Sequence, residues 1–201
     1  MPGRILLTTA YFPPVEYLSR IIASDEVLIE REENYLKQSY RNRCYILSSQ
    51  GIQTLTVPVL KGSLHKTAVK DIRIDYSKRW QPVHLGALNA AYRASPFFQY
   101  YMDGFEKIIL KKHPFLLDLN MELLEQIMSI ACIRKSIAYT GTFTGPGSAG
   151  DDYRYLINPK ISSDYQPVAY IQVFASAGRF TPNLSVIDLL FNTGPDAAGY
   201  L

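Results

Sequence analysis

The amino-acid sequence predicts an α/β protein: a mixed, largely parallel sheet with an N-terminal βαβ unit, a β-hairpin and a helical middle region. Three observations carry that expectation. A β-prone run, Ile5 to Ala10, leads into Pro13-Pro14, then into apolar residues at helical spacing, then into Val27-Leu28-Ile29. Two strand-like runs, Arg43 to Leu47 and Gln53 to Val59, flank Ser48-Ser49-Gln50-Gly51. From Pro82 to Ile133 apolar residues recur at helical intervals.

In chain order, Tyr11-Phe12-Pro13-Pro14 ends the first strand, because two prolines cannot donate to a ladder. Proline also suits the start of the helix that carries Val15, Leu18, Ile21 and Ile22. Asp25 breaks that spacing before the second strand. Strand, turn, helix, strand is a βαβ unit and predicts a parallel pair. The Ser48–Gly51 turn predicts a hairpin, hence a sheet that is not purely parallel. Val69 to Asp75 alternates charged and apolar residues and reads as a strand with one wet face. Helices follow from Pro82 to Ala94, from Phe97 to about Leu110 after Ser95-Pro96, and from Asp118 to Ile133. Residues 141–152 read as a Gly/Thr/Ser/Pro-rich flexible linker; they lack the G-K-[ST] ending of a phosphate-binding loop. Beyond it, residues 153–201 are expected to pack on the same core, with a strand over Tyr165–Phe174 and a short helix over Leu184–Phe191. Residues 1–201 are thus read as one α/β domain.

Composition narrows the function. Of 201 residues, 47% are hydrophobic, enough for a sizeable core. Lys and Arg number 21 against 18 Asp and Glu; a net charge of +3 is too mild for a broad nucleic-acid footprint. Cys44 and Cys132 lie in apolar stretches and read as buried free thiols. His65, His84 and His113 are scattered, with no C-x-x-C or H-x-x-x-H spacing, which argues against a structural zinc site. The apolar run at the N-terminus is too short for a signal peptide, and no stretch approaches the roughly 20 apolar residues of a membrane helix. A cytoplasmic protein without a membrane span is expected. The sequence assigns no cofactor.

Several motifs together carry a family resemblance. Tyr11 to Leu18 resembles a Tyr-x-Pro-aromatic-x-Gly-Tyr turn, with Glu16 where Gly is common and Leu7-Thr8-Thr9 in place of a preceding Gln-Pro. Arg41-Asn42-Arg43 resembles an R-N-R element before a hairpin, and Leu55-Thr56-Val57-Pro58-Val59 an L-T-V-P-V strand. Trp80 and His84 fit W-x-x-x-H, and Tyr92 to Phe98 resembles the helix break that follows. Ser185 to Asn192 resembles a closing S-x-x-D-L-L-F-N. These matches, in order from residue 7 to residue 192, identify the chain as similar to a short form of the WbqC-like family. The resemblance implies a role in bacterial surface-polysaccharide synthesis of the O-antigen type. It further implies acyl or aminoacyl transfer to a nucleotide-activated sugar, or non-catalytic binding or scaffolding in the same pathway.

The segment from Glu30 to Arg43 holds the densest chemistry. As a helix, Glu33, Lys37 and Arg41 would pair along one solvated face. As a loop at the carboxyl end of the second strand, it would sit where open α/β sheets bind ligands. Lys37, Arg41 and Arg43 would then hold the anionic part of a ligand such as a nucleotide sugar, and Gln38 and Asn42 would add neutral hydrogen bonds. In that reading Tyr11 and Pro13 sit at the pocket rim and Trp80 stacks on a sugar or base. His84 is the histidine placed for proton transfer, its ordinary pKa being near 6.5. Glu33 is a second candidate, as a general base. For each of these residues packing or surface ion pairing is the rival reading.

Overall fold

The computed structural model describes residues 3–60, 66–145, 151–175 and 178–201; His65 and the middle of the 141–152 stretch lie outside them. The βαβ entry is present. Strand β1 (Arg4–Thr8) pairs in parallel with β2 (Glu26–Glu30), Leu6 opposite Leu28, and helix α1 (Val15–Ala23) makes the crossover. α1 forms because Val15, Leu18 and Ile21 recur on one face and are all buried. Each such side chain stabilises the fold by about 1.5–3 kcal/mol. The helix ends at Ser24, whose hydroxyl donates to the Ile21 carbonyl at 3.0 Å.

Two further strands complete the sheet. β5 (Ile137–Tyr139) adds to β2 and β6 (Asp151–Asp152) adds to β1, both in parallel, giving the order β5-β2-β1-β6. The hairpin forms as expected from β3 (Arg43–Ser48) and β4 (Gly51–Thr56). Gly51, at φ 101°, takes the positive backbone angle just after the turn residues Ser49 and Gln50, which glycine adopts without a Cβ clash. The hairpin pairs only with itself among the described residues, so the antiparallel component stands apart from the parallel sheet. Three helices fill the middle: α2 (Trp80–Tyr92), α3 (Phe98–Leu110) and α4 (Leu116–Ile130).

The last helix, α5 (Val186–Thr193), is stitched onto the first turn of the chain. Val15 N–H donates to the Leu184 carbonyl at 2.9 Å, and Val186 N–H to the Pro13 carbonyl at 2.8 Å. Ser185 caps α5 by accepting from Ile187 N–H, and its own hydroxyl donates to the Phe12 carbonyl at 2.9 Å. Phe191 then packs among Tyr92, Phe98 and Phe105, with ring centroids 5.1–5.9 Å away.

Three expectations need correction. Val69 to Asp75 is not a strand; it begins as a 3-10 turn over Val69–Asp71. Its second half makes only isolated antiparallel bridges, Ile74 with Val59 and Arg73 with Phe115, while Val69 and Lys70 bond to Glu33 and Arg31, so no ladder runs along its whole length. Tyr165 to Phe174 is not a strand either. Pro167 removes a donor, and Ile171 stays 88% exposed while the polar Gln172 turns inward to Asp188 and the Thr181 carbonyl. Cys132 is exposed rather than buried, because α4 ends two residues earlier, at Ile130, and Cys132 turns out with φ 55°.

Candidate functional site

The carboxyl ends of β1 and β2 hold a sealed cluster of charge. Glu30 ends β2, and the chain from Arg31 to Asn42 is a loop, not a helix. Its return brings Arg41 against Glu33: Nε and Nη2 both donate to Glu33 Oε1, at 3.1 and 2.7 Å. Thr8, the last residue of β1, donates its hydroxyl to the same oxygen. Burial pushes the Glu33 carboxyl up, opposed chiefly by Arg41. Glu33 Oε2 and Thr9 Oγ1 are buried with no hydrogen-bond partner among the described residues.

A second buried guanidinium adjoins this cluster. Arg154 donates to both oxygens of Asp152, at 2.9 and 2.6 Å, and to the Thr144 carbonyl at 2.9 Å, and it lies 3.5 Å from Glu30. These bonds hold the Asp152 carboxyl below its usual range. Glu30 also accepts from Glu32 N–H, Thr140 Oγ1 and Thr144 N–H. The network therefore ties the β2 loop, the segment after β5 and β6 to one another. Glu30, Glu33, Arg41 and Arg154 are all buried, so removing one partner would strand another.

Trp80 and His84 lie elsewhere, one helical turn apart on α2. With Gln53, Thr54, Leu55, Thr56 and Pro58 of the hairpin side, and with Lys78, Arg79 and Val83, they line a groove of about 430 Å³. That is within the roughly 300–1,000 Å³ range of small-molecule sites. Behind the groove wall, Tyr11 bonds to His84 Nδ1 at 2.8 Å, and the Thr56 backbone bonds to the same imidazole. Burial is the main cause that lowers the His84 pKa to about 4, with the Thr56 bond acting the other way. His84 is therefore neutral near pH 7: Tyr11 O–H donates to Nδ1, and Nε2–H is left for the Thr56 carbonyl. The Trp80 ring meets His84 edge-on, centroids 5.1 Å apart, and Trp80 Nε1 is buried without a partner among the described residues.

The structure thus separates residues that the sequence grouped. Arg41, Asn42 and Glu33 are buried and bonded inside the protein: Asn42 Nδ2 donates to the Val57 carbonyl at 2.8 Å. Arg43 is half-buried, makes no ion pair among the described residues, and stands opposite Thr56 across the hairpin. Residues opposite each other share a face, which puts Arg43 on the same side of the hairpin as a lining residue. Lys37 and Gln38 are exposed on the loop. Tyr11 and Pro13 are buried; Tyr11 orients His84, and Pro13 accepts from α5. Sequence reasoning missed Lys78, Arg79, Asp152 and Arg154. The basic pair just before a helix start was a readable signal for the first two. Asp152, two residues before Arg154, was a local signal for that pair, but nothing local marks the approach of Glu30.

The fold and this groove define an α/β protein with a ligand-sized cleft between a β-hairpin and a helix N-terminus. The chain belongs to the WbqC-like protein family, whose model matches residues 9–160. It is also similar to the uncharacterized protein Rv1507c of Mycobacterium tuberculosis, 29% identical, over 98% of this chain and 96% of that protein. No solved structure matches it. No helix among the described residues is long and apolar enough to cross a membrane.

Proposed function

We propose that this protein binds a sugar-bearing ligand, nucleotide-activated or lipid-linked, in the assembly of a bacterial surface polysaccharide of the O-antigen type. The setting is supported by family membership. The observation that carries the binding is the make-up of the groove. Gln53, Thr54 and Thr56 offer hydrogen bonds on one side, while Pro58 and the exposed Val83 offer apolar surface, backed by the largely buried Leu55 and Trp80. A saccharide presents hydroxyl edges and C–H faces together, and needs both kinds of wall. The reading carries a cytoplasmic location with it. A thermal-shift screen against nucleotide sugars and a short-chain lipid-linked sugar tests it, run beside Val83→Trp, which fills the groove from an exposed position. A ligand that stabilises the parent but not the filled variant supports the reading; no shift with any sugar derivative sinks it.

A catalytic reading, acyl or aminoacyl transfer to the sugar, draws on one observation: His84 lines the same groove and is neutral near pH 7. A general base needs a free lone pair, and Tyr11 occupies Nδ1, so the bond to Tyr11 or that to Thr56 would have to open. Glu33 is sealed beneath Arg41 and Thr8 and reaches no substrate in this arrangement. Binding without catalysis is therefore the better supported of the two. Turnover of an acyl or aminoacyl donor that is abolished in His84→Gln while ligand binding persists would reverse that order.

A further inference from the structure

We propose that Lys78 and Arg79 form the phosphate-binding end of this groove and hold the phosphate or diphosphate of the ligand. The inference rests on the groove being a ligand site, and adds the chemistry by which one end of it selects. Both side chains line the groove and both are exposed. Among the described residues neither takes part in an ion pair, and they differ from other such cations in lining one groove side by side. Asp75, the nearest acid in sequence, accepts from Ser77 N–H and Oγ at 2.9 and 2.6 Å. The other lining residues contribute no charge, since His84 is kept neutral by burial.

Two adjacent positive charges without an acid repel each other and raise the potential of the groove they share. An anion bridging them removes that repulsion, and phosphate oxygens accept from both Lys and Arg. Two further features lie next to this pair in the chain. Arg79 is the N-cap of α2 and gives no side-chain cap, so the Trp80 and Gln81 N–H groups at the start of a thirteen-residue helix keep their donor capacity, Pro82 having none. Trp80 Nε1, on the next residue, is a buried donor with no partner among the described residues. The hairpin side of the groove, with Gln53, Thr54 and Thr56, is left for the uncharged part of the ligand.

The chemistry is shared by a nucleoside diphosphate and a lipid diphosphate, and calorimetry separates them. The probes are inorganic pyrophosphate, uridine diphosphate, geranyl diphosphate and an uncharged methyl glycoside, titrated into the full chain at low and high salt. The variant is Lys78→Gln with Arg79→Gln; Lys107→Gln with Lys160→Gln, exposed cations outside the groove, is the charge-matched control. Circular dichroism and melting confirm that both remain folded. Pyrophosphate should bind the parent and the control alike, and bind the groove variant about tenfold to a hundredfold more weakly, the loss expected for charge-assisted contacts. Tighter binding of uridine diphosphate or of geranyl diphosphate names the source of the phosphate. If the three anions bind parent and groove variant equally, or bind neither, the phosphate site is overturned. Binding of the methyl glycoside or a sugar derivative alongside that result leaves the groove as a sugar site; silence from every probe removes both readings.

Discussion

Arg41 and Glu33 are both fully buried, 1% and 0% exposed, and two guanidinium nitrogens of Arg41 converge on a single Glu33 oxygen. The other oxygen has no partner among the described residues. The pair closes the loop after β2 back onto the start of the hairpin, and Asn120 of α4 reinforces it by donating to the Arg41 carbonyl at 2.8 Å. Its value to the fold lies in the cost of breaking it. Arg41→Met should destabilise the protein by about 3–5 kcal/mol, because Glu33 is left buried without its charge partner. Adding Glu33→Gln to that variant should recover part of the loss. Urea unfolding of the two single variants and the double variant measures this; equal stability of Arg41→Met and the parent would show the pair to be idle.

His84 should make the protein acid-sensitive. Its pKa falls from 6.5 in the unfolded chain to about 4 in the folded one. The unfolded state therefore takes up a proton between those values and the folded state does not. The stability is intact above about pH 6.5 and declines as pH drops toward 4, by roughly 3 kcal/mol in all. Carboxylates titrate in the same window, so the quantity to measure is the difference between parent and His84→Gln. That difference should shrink as pH falls from 7 to 4.5; a constant difference would mean His84 titrates normally.

Tyr11→Phe removes the hydrogen bond to His84 Nδ1 and leaves that nitrogen buried. A loss of about 1–3 kcal/mol is expected, the usual cost of an unsatisfied buried group. The ring's packing against Phe12 survives the change. Thermal unfolding together with the NMR titration of His84 checks it, and an unshifted His84 signal would show that Tyr11 does not orient the imidazole.

Deleting residues 184–201 should leave the chain insoluble or molten. Val186, Ile187, Leu189, Leu190 and Phe191 are all buried, and α5 supplies the backbone partners of Val15 and Pro13. The point variant Phe191→Ala should cost about 3–5 kcal/mol. A truncated chain that stays soluble and unfolds cooperatively would separate the tail from the core.

Gly194→Ala should also be destabilising, by about 1–3 kcal/mol. Gly194 ends α5 at φ 61°, and a Cβ there would lie 2.4 Å from the Phe97 ring. Phe97→Ala should relieve the clash, so the double variant should lose less than the sum of the two singles. Strict additivity in unfolding measurements would refute the contact.

The local elements were legible because their signals are local. Pro13-Pro14 after an apolar run, the three-residue spacing of Val15, Leu18 and Ile21, the turn at Ser49-Gln50-Gly51 and the S-x-x-D-L-L-F-N close each act over a few residues, and each produced its element. What the tertiary structure decided is who meets whom. Arg41 and Arg43 share a motif, yet Arg41 is drawn into the core by Glu33 and Thr8 while Arg43 remains on the hairpin. Trp80 and His84 became groove residues only when α2 settled beside β4, and Lys78 and Arg79 joined them there. Val69 to Asp75 and Tyr165 to Phe174 read like strands, but a strand needs a neighbouring backbone in register along its length, and no sequence pattern reports whether one continues beyond isolated bridges. Arg154 met Glu30 because a parallel sheet gathers the ends of distant strands at one edge. That contact spans 124 residues, and only the closed chain determines it.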